Sequence, residues 1–172
     1  MKKLLIGLTT LFLGGCLGMP DNVKPVTDFD LDKYLGKWYE IARLDHSFER
    51  GLNNVTAEYA MRDDGGVKVT NRGYSEKKKK WSEASGKAFF VDEKNKGYLK
   101  VSFFGPFYGS YVVFELDKEN YDYAYVTSSS KSYLWLLARK PDVDQTIIDS
   151  FVEKAKELGY KTDDLIFVEH DK

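Results

Sequence analysis

An eight-stranded, up-and-down antiparallel β-barrel, all-β apart from one C-terminal α-helix and closed by a short ninth strand, is the fold this sequence predicts. Three observations predict it. Between Lys37 and Lys140, runs of alternating apolar and polar residues follow one another with only short turn-forming links. After Pro141 the apolar period changes from two to a helical one. Finally, eight consecutive strands are most economically closed on themselves, because closure removes the unpaired edges.

The strands are predicted over 37–45, 54–62, 67–75, 80–91, 98–104, 109–117, 121–128 and 132–140. Turn chemistry separates the later ones: Asp63-Asp64-Gly65-Gly66, Asn95-Lys96-Gly97, Gly105-Pro106, Glu119-Asn120 and Ser128-Ser129-Ser130. Val143, Ile147, Ile148, Phe151, Val152, Ala155 and Leu158 recur at helical spacing. Asp142 with Gln145 makes a capping box and Gly159 a C-cap, which places the helix over 142–158. Residues 165–170 form the ninth strand.

The chain of 172 residues, 42% apolar and 15% aromatic, is ample for one packed domain. Lys+Arg 26 against Asp+Glu 27 leaves no basic excess, so nucleic acid is not an expected partner. The first fifteen residues are a separate object. Lys2 and Lys3 precede an apolar run from Leu4 to Leu13 that is too short to span a membrane as a mature helix, and it reads as an export signal. Leu13-Gly14-Gly15-Cys16 resembles the lipobox of bacterial lipoproteins, whose cysteine is lipidated and becomes the first residue after cleavage. Cys16 is the only cysteine, so it has no partner for an intrachain disulfide. The expected division is a signal peptide over 1–15, a lipidated, Pro-containing tether over 16–27, and a barrel domain over 28–172. Leu17, rather than Asp, follows the cysteine; this resembles outer-membrane sorting, with the barrel facing the periplasm.

On the fifth strand Lys100 and Ser102 share one face, while Leu99, Val101 and Phe103 share the other and point inward. On the eighth, the inward set is either Leu134, Leu136 and Ala138 or Tyr133, Trp135, Leu137 and Arg139; periodicity does not choose. An eight-stranded barrel is just wide enough to be filled by side chains or to hold one small ligand. Strand parity puts the links at 46–53, 76–79, 105–108 and 129–131 on one rim. That rim carries His46, Phe48, Arg50, Lys77, Lys78, Lys79, Pro106, Phe107 and Tyr108. An aromatic and basic mouth suits an amphiphile with an apolar tail and an anionic head.

Nothing in the chain marks catalysis. It has no G-x-S-x-G elbow, its one cysteine belongs to the lipobox, and His46 and His170 lack nucleophile or metal-ligand spacing. Asp142-x-Asp144 falls in a helix cap rather than a calcium loop. No enzyme activity, metal or cofactor is expected.

Gly36-Lys37-Trp38, opening the first strand after the short lead-in "FDLDKYLG", resembles the G-x-W signature of the lipocalins, and its distant partner is Arg139 in "LLARKP". A third family signature, between strands six and seven, is reduced here to Tyr121 in "LDKENY". The stretches "YLGKWYEIARLDHSFERGL", "RDDGG", "GKAFF", "LKVSFFGPFYG" and "YLWLLAR" resemble bacterial lipocalins of the Blc type, relatives of apolipoprotein D, over residues 28–170. The resemblance implies a calyx in which Arg139 packs across Trp38 at the closed end. Leu137, Trp135 and Tyr133 would then face inward. On strand one Glu40 and Ala42 would face inward and Tyr39 and Ile41 outward. Tyr59, Asn71 and Tyr111 are also implied to lie inside. The ligand so implied is a fatty acid or lysophospholipid, lined by Tyr59, Asn71, Leu99, Val101, Phe103, Tyr111, Trp135 and Leu137, with Phe107, Tyr108 and Lys78 at the rim. Glu40 and Asn71 are candidates for its polar head, because an unsatisfied polar group in an apolar barrel is costly. The membrane, through Cys16, and a second copy of the chain at the rim are further candidate partners. Competing expectations are a filled barrel with a structural role, and a carrier of haem or pigment, for which no paired axial ligands are visible.

Overall fold

All eight barrel strands, the helix and the ninth strand are present in the computed structural model, which describes residues 17–171. The export segment and Cys16 lie outside the described residues. A single helical turn, α1 (Leu31–Tyr34), leads into β1 (Gly36–Leu44), β2 (Leu52–Met61), β3 (Val67–Ser75) and β4 (Lys80–Phe90). Then follow β5 (Tyr98–Phe104), β6 (Phe107–Leu116), β7 (Tyr123–Thr127), β8 (Leu134–Ala138), α2 (Gln145–Glu157) and β9 (Leu165–Phe167). Each strand pairs antiparallel with the next, and β1 pairs with both β2 and β8, which closes the barrel. β9 adds to the outside end of β1 through Ala42, Arg43 and Leu44.

Most element bounds shift from those predicted by one to three residues, and two of the shifts have a local cause. Helix α2 starts at Gln145 and is capped by Asp144, whose carboxylate accepts from the Thr146 N–H at 2.9 Å, rather than by Asp142. Strand β7 starts two residues late, because Tyr121 adopts φ +57° and is engaged elsewhere.

The alternation divides the strands cleanly. Trp38, Tyr59, Val67, Val69, Leu99, Val113, Ala124, Val126 and Leu137 form the interior cluster. Ile41, Leu44, Val112, Phe114, Tyr125, Leu134 and Leu136 form a second cluster on the outer wall, roofed by Phe151 and Ala155 of α2 and by Tyr160. Strand β8 therefore turns Trp135 and Leu137 inward and Leu134 and Leu136 outward. One expectation fails: Ala42 does not face in. A bulge shifts the β1–β8 register between Glu40 and Ala42, so that Ile41 and Ala42 both join the outer cluster. The next inward side chain is Arg43, opposite Trp135.

The closed end is a plug built on Trp38, which is wholly buried. The Arg139 guanidinium lies 3.9 Å over its ring and donates to the carbonyls of Lys33 (2.7 Å), Lys37 (3.0 Å) and Tyr121 (3.2 Å). The Trp38 indole donates to the Tyr34 carbonyl at 2.8 Å, and the Tyr121 hydroxyl accepts from the Asp30 N–H. Gly36 is needed here: it has φ +93°, and a Cβ on it would meet the Arg139 guanidinium at 3.5 Å.

Residues 17–29 lie against the barrel's exterior. Val26 donates to the Val113 carbonyl and accepts from Gly97, both at 2.9 Å, and the Gly18 N–H donates to Ser110 Oγ at 2.9 Å. Val23 is buried in the outer cluster, and Phe29 turns in to the interior one.

Arg139→Ala removes a cation–π contact and three charge-assisted hydrogen bonds, so it should cost about 2–4 kcal/mol of stability in urea unfolding. A variant that unfolds at the wild-type midpoint would remove the plug from this account.

Candidate ligand site

The barrel interior is built in two levels. At the floor, Tyr34 of α1, Tyr59 of β2 and Tyr111 of β6 join through their hydroxyls: Tyr111 Oη lies 2.7 Å from Tyr34 Oη and 2.7 Å from Tyr59 Oη. Burial pushes all three phenols above their ordinary range, for Tyr34 and Tyr111 strongly so, because the phenolate would be taken out of water. They act as neutral hydroxyls that tie opposite walls together. Around them Phe29, Leu31, Val67, Val69, Ala88, Leu99 and Val101 line an apolar cavity. Its free volume is small, about 10 Å³, the room of a single water.

Phe103, Trp135 and Leu137 belong to or pack against the same interior cluster, Leu137 opposite Glu40 and Trp135 opposite Arg43 in the β1–β8 pairing. Asn71 faces the same way, since it alternates with Val67 and Val69 and is paired with Ala57.

The upper level is polar. Glu40 and Arg43 are almost completely buried, at 3% and 1% exposure, and Arg43 donates to Glu40 at 2.8 Å. Arg43 also donates to the carbonyls of Glu49 (3.0 Å) and Leu52 (3.3 Å), fastening the β1–β2 loop across the mouth. That loop turns Glu49 inward, where its carboxylate accepts from Trp135 Nε1 at 3.1 Å and lies 2.9 Å from His46 Nε2. The histidine contact is close but not aligned as a hydrogen bond, and neither ring nitrogen of His46 has another partner. Burial, and then the charge of Glu49, raise the Glu40 carboxyl well above the usual carboxylate range despite Arg43. Burial pushes Glu49 up as well, but the His46 and Trp135 groups beside it outweigh that and hold it below its ordinary value. The two acids are thus shifted in opposite directions, Glu40 up and Glu49 down.

At the rim Phe104 and Phe107 are 82% and 72% exposed, and Phe48 is 59% exposed. Tyr108 is half-buried beneath the Lys100 ammonium, 5.0 Å from its ring. Lys77, Lys78 and Lys79 form the exposed β3–β4 turn.

A family model, "Lipocalin-like domain", matches residues 29–170. The chain belongs to the lipocalin family. This lipocalin is 62% identical to the outer membrane lipoprotein Blc of Vibrio cholerae, over 98% of this chain and 99% of that one. It is 45% identical to the Blc of Escherichia coli K12, over 87% and 84% of the two chains. Mouse apolipoprotein D is 31% identical over 75% of this chain and 68% of that one. Among solved structures, insecticyanin from Manduca sexta superposes with a TM-score of 0.71 at 21% identity, covering 91% and 88% of the two chains, which supports the fold. Lipocalins as a class carry small hydrophobic ligands, and this one has the closed barrel to do so.

The structure brings Tyr59, Leu99, Val101 and Tyr111 together around the cavity and places Phe103, Trp135 and Leu137 above it. Asn71 shares the interior without touching the cavity. Phe107 and Lys78 stand at the rim facing water, while Tyr108 is partly covered there. Gly36, Trp38 and Arg139 are joined in the plug; Cys16 lies outside the described residues. Sequence reasoning missed the upper cluster. Glu40, a candidate for the ligand's polar head, bonds Arg43, whose inward turn follows from the bulge. His46 was placed on the rim but is buried, and Glu49, three residues on, was not singled out.

A carboxyl that binds a proton on folding weakens the folded state as pH rises. Because Glu40 is raised, the native chain holds more protons than the unfolded one above pH 4.5, so its contribution to stability falls from there toward the folded value. Glu40→Gln should flatten that decline in stability measured between pH 5 and 8; an unchanged profile would mean that Glu40 is ionised throughout.

Proposed function

We propose that this lipocalin carries or stores a single-chain amphiphile, a fatty acid or lysophospholipid, for the bacterial outer membrane, to which a lipid on Cys16 anchors it on the periplasmic side. One observation carries the reading: a closed barrel whose interior sets an apolar cavity at the floor and, further along β1 and β8, a buried polar cluster beside Leu137 and Trp135. That order of surfaces matches a tail followed by a head. Burying each methylene of a tail is worth about 0.8 kcal/mol before ordering costs, so some ten methylenes support micromolar binding without covalent chemistry. The anchor rests on the Leu-Gly-Gly-Cys16 sequence, and the relatives bearing the name outer membrane lipoprotein agree with it.

The filled-barrel reading is favoured by the small free volume of the cavity, which obliges side chains to move before a tail enters. Thermal melting separates the two. Residues 17–171 contain the whole barrel and every contact described, so the chain without its export segment serves. A carrier should show a rise in melting temperature of several degrees with saturating palmitate or palmitoyl-lysophosphatidylglycerol, and should release such a lipid on denaturing extraction into a mass spectrometer. An empty protein that no such lipid stabilises is a filled barrel.

Trp135→Asp places a charge inside the barrel above the apolar floor and should abolish palmitate binding while the far-ultraviolet circular dichroism of the barrel persists. Retained binding would show that the tail runs elsewhere.

A further inference from the structure

We propose that Arg43, His46 and Trp135 form the receiving site for the ligand's anionic head, carboxylate or phosphate, and that Glu49 is an internal stand-in which the head displaces. The inference rests on the carrier reading above and adds to it the residues that select the head.

Glu49 is the unusual group. A loop carboxylate at the mouth of a barrel would ordinarily point to water, and glutamate is rarely buried unless paired. Here it is 7% exposed, turned inward onto an indole N–H at 3.1 Å and an imidazole nitrogen at 2.9 Å, beside the acid of Glu40. The set of donors is larger than the anion uses. Arg43 Nε and His46 Nδ1 are buried without a hydrogen-bond partner, so this cluster has two nitrogen positions unused. A guanidinium on the strand position opposite Trp135, an imidazole and an indole N–H in a buried space suit a planar or tetrahedral oxyanion.

Glu49 is also displaceable. Within its loop, the outer side is held by the exposed Arg50–Asp45 pair at 2.7 Å, which contributes little in water, and Phe48 lies largely in solvent. An incoming carboxylate or phosphate monoanion replaces the Glu49 charge one for one, the Glu49 side chain turning out while its carbonyl stays bonded to Arg43. Arg43 is five residues along β1 from Trp38, about 16 Å of strand, which puts this cluster well above the plug. The exposed lysines of the β3–β4 turn attract anions from the surface but do not reach this interior level.

The test is tryptophan-fluorescence titration of the soluble chain with three probes of one tail length: palmitate, palmitoyl-lysophosphatidylglycerol and hexadecanol. Wild type should bind the two anions more tightly than the alcohol. Glu49→Gln keeps the loop's shape and removes the competing charge, and it should bind the anions about tenfold more tightly with hexadecanol changed less than twofold. Trp135→Phe keeps the ring and loses the N–H, and it should weaken both anions several-fold but not hexadecanol, read by stabilisation in thermal melts. A gain confined to palmitate, or to the lysophospholipid, supports the site and assigns it to carboxylate or phosphate. Equal binding of all three probes to wild type, or unchanged or weaker anion binding by Glu49→Gln, overturns the receiving site and leaves the carrier reading standing. If wild type binds none of the three, the carrier reading falls and the receiving site with it. Should Glu49→Gln fail to fold, the Trp135→Phe comparison decides.

Discussion

Strand β1 has to satisfy three neighbours at once, and a single bulge at Ile41 makes this possible. Below it, β1 presents Trp38 and Glu40 to the interior and bonds β2 and β8 as an ordinary barrel strand. At the bulge two successive residues, Ile41 and Ala42, turn outward, where they give the roof of α2 and the added strand β9 an apolar seat. Above it, the phase is reversed and Arg43 enters the barrel. One inserted residue thus brings Arg43 onto the inner face three positions after Glu40, where the two side chains pair across the bulge.

The two ends of the barrel are held by different physics. The closed end is fixed by short contacts: an indole, a guanidinium and several backbone carbonyls, with each nitrogen of Arg139 donating once. The open end is held by buried charges with donors to spare and by a loop whose outer bonds face water. Motion is cheapest where hydrogen bonding is incomplete and solvent can compete, so the mouth is the part that can adapt to a guest while the floor keeps the strands in register.

Much of the architecture was legible in the sequence because it depends on period. Alternation placed Leu99, Val101 and Phe103 inside, turn residues separated the strands, and the change of period after Pro141 located α2. The pairing of Trp38 with Arg139 came from a motif, and it also settled which face of β8 looks inward, a choice that alternation leaves open for "YLWLLAR". The upper level was not legible. A bulge without glycine or proline shifts the period by one and leaves no mark in composition, so Ala42 was put inside and Arg43 was overlooked. His46 and Glu49 lie in a loop, where no period says which side chains fold inward. The start of α2 was misread for a local reason: Asp142 and Asp144 are both competent caps, and only the path of the chain after Pro141 decides between them.

The segment before α1 has a consequence for the order in which the chain becomes structured. Its contacts reach forward by ninety residues: Gly18 is bonded to Ser110, and Val26 sits on Gly97 and Val113. None of these can form until the hairpin of β5 and β6 has been laid down, and such long loops close late because their entropy is spent before any contact rewards it. The residues made first are therefore among the last to be fixed. Through most of the folding process the N-terminal side of the chain remains an open strand, accessible to whatever acts on it, and it is strapped to the barrel wall only when the wall is complete.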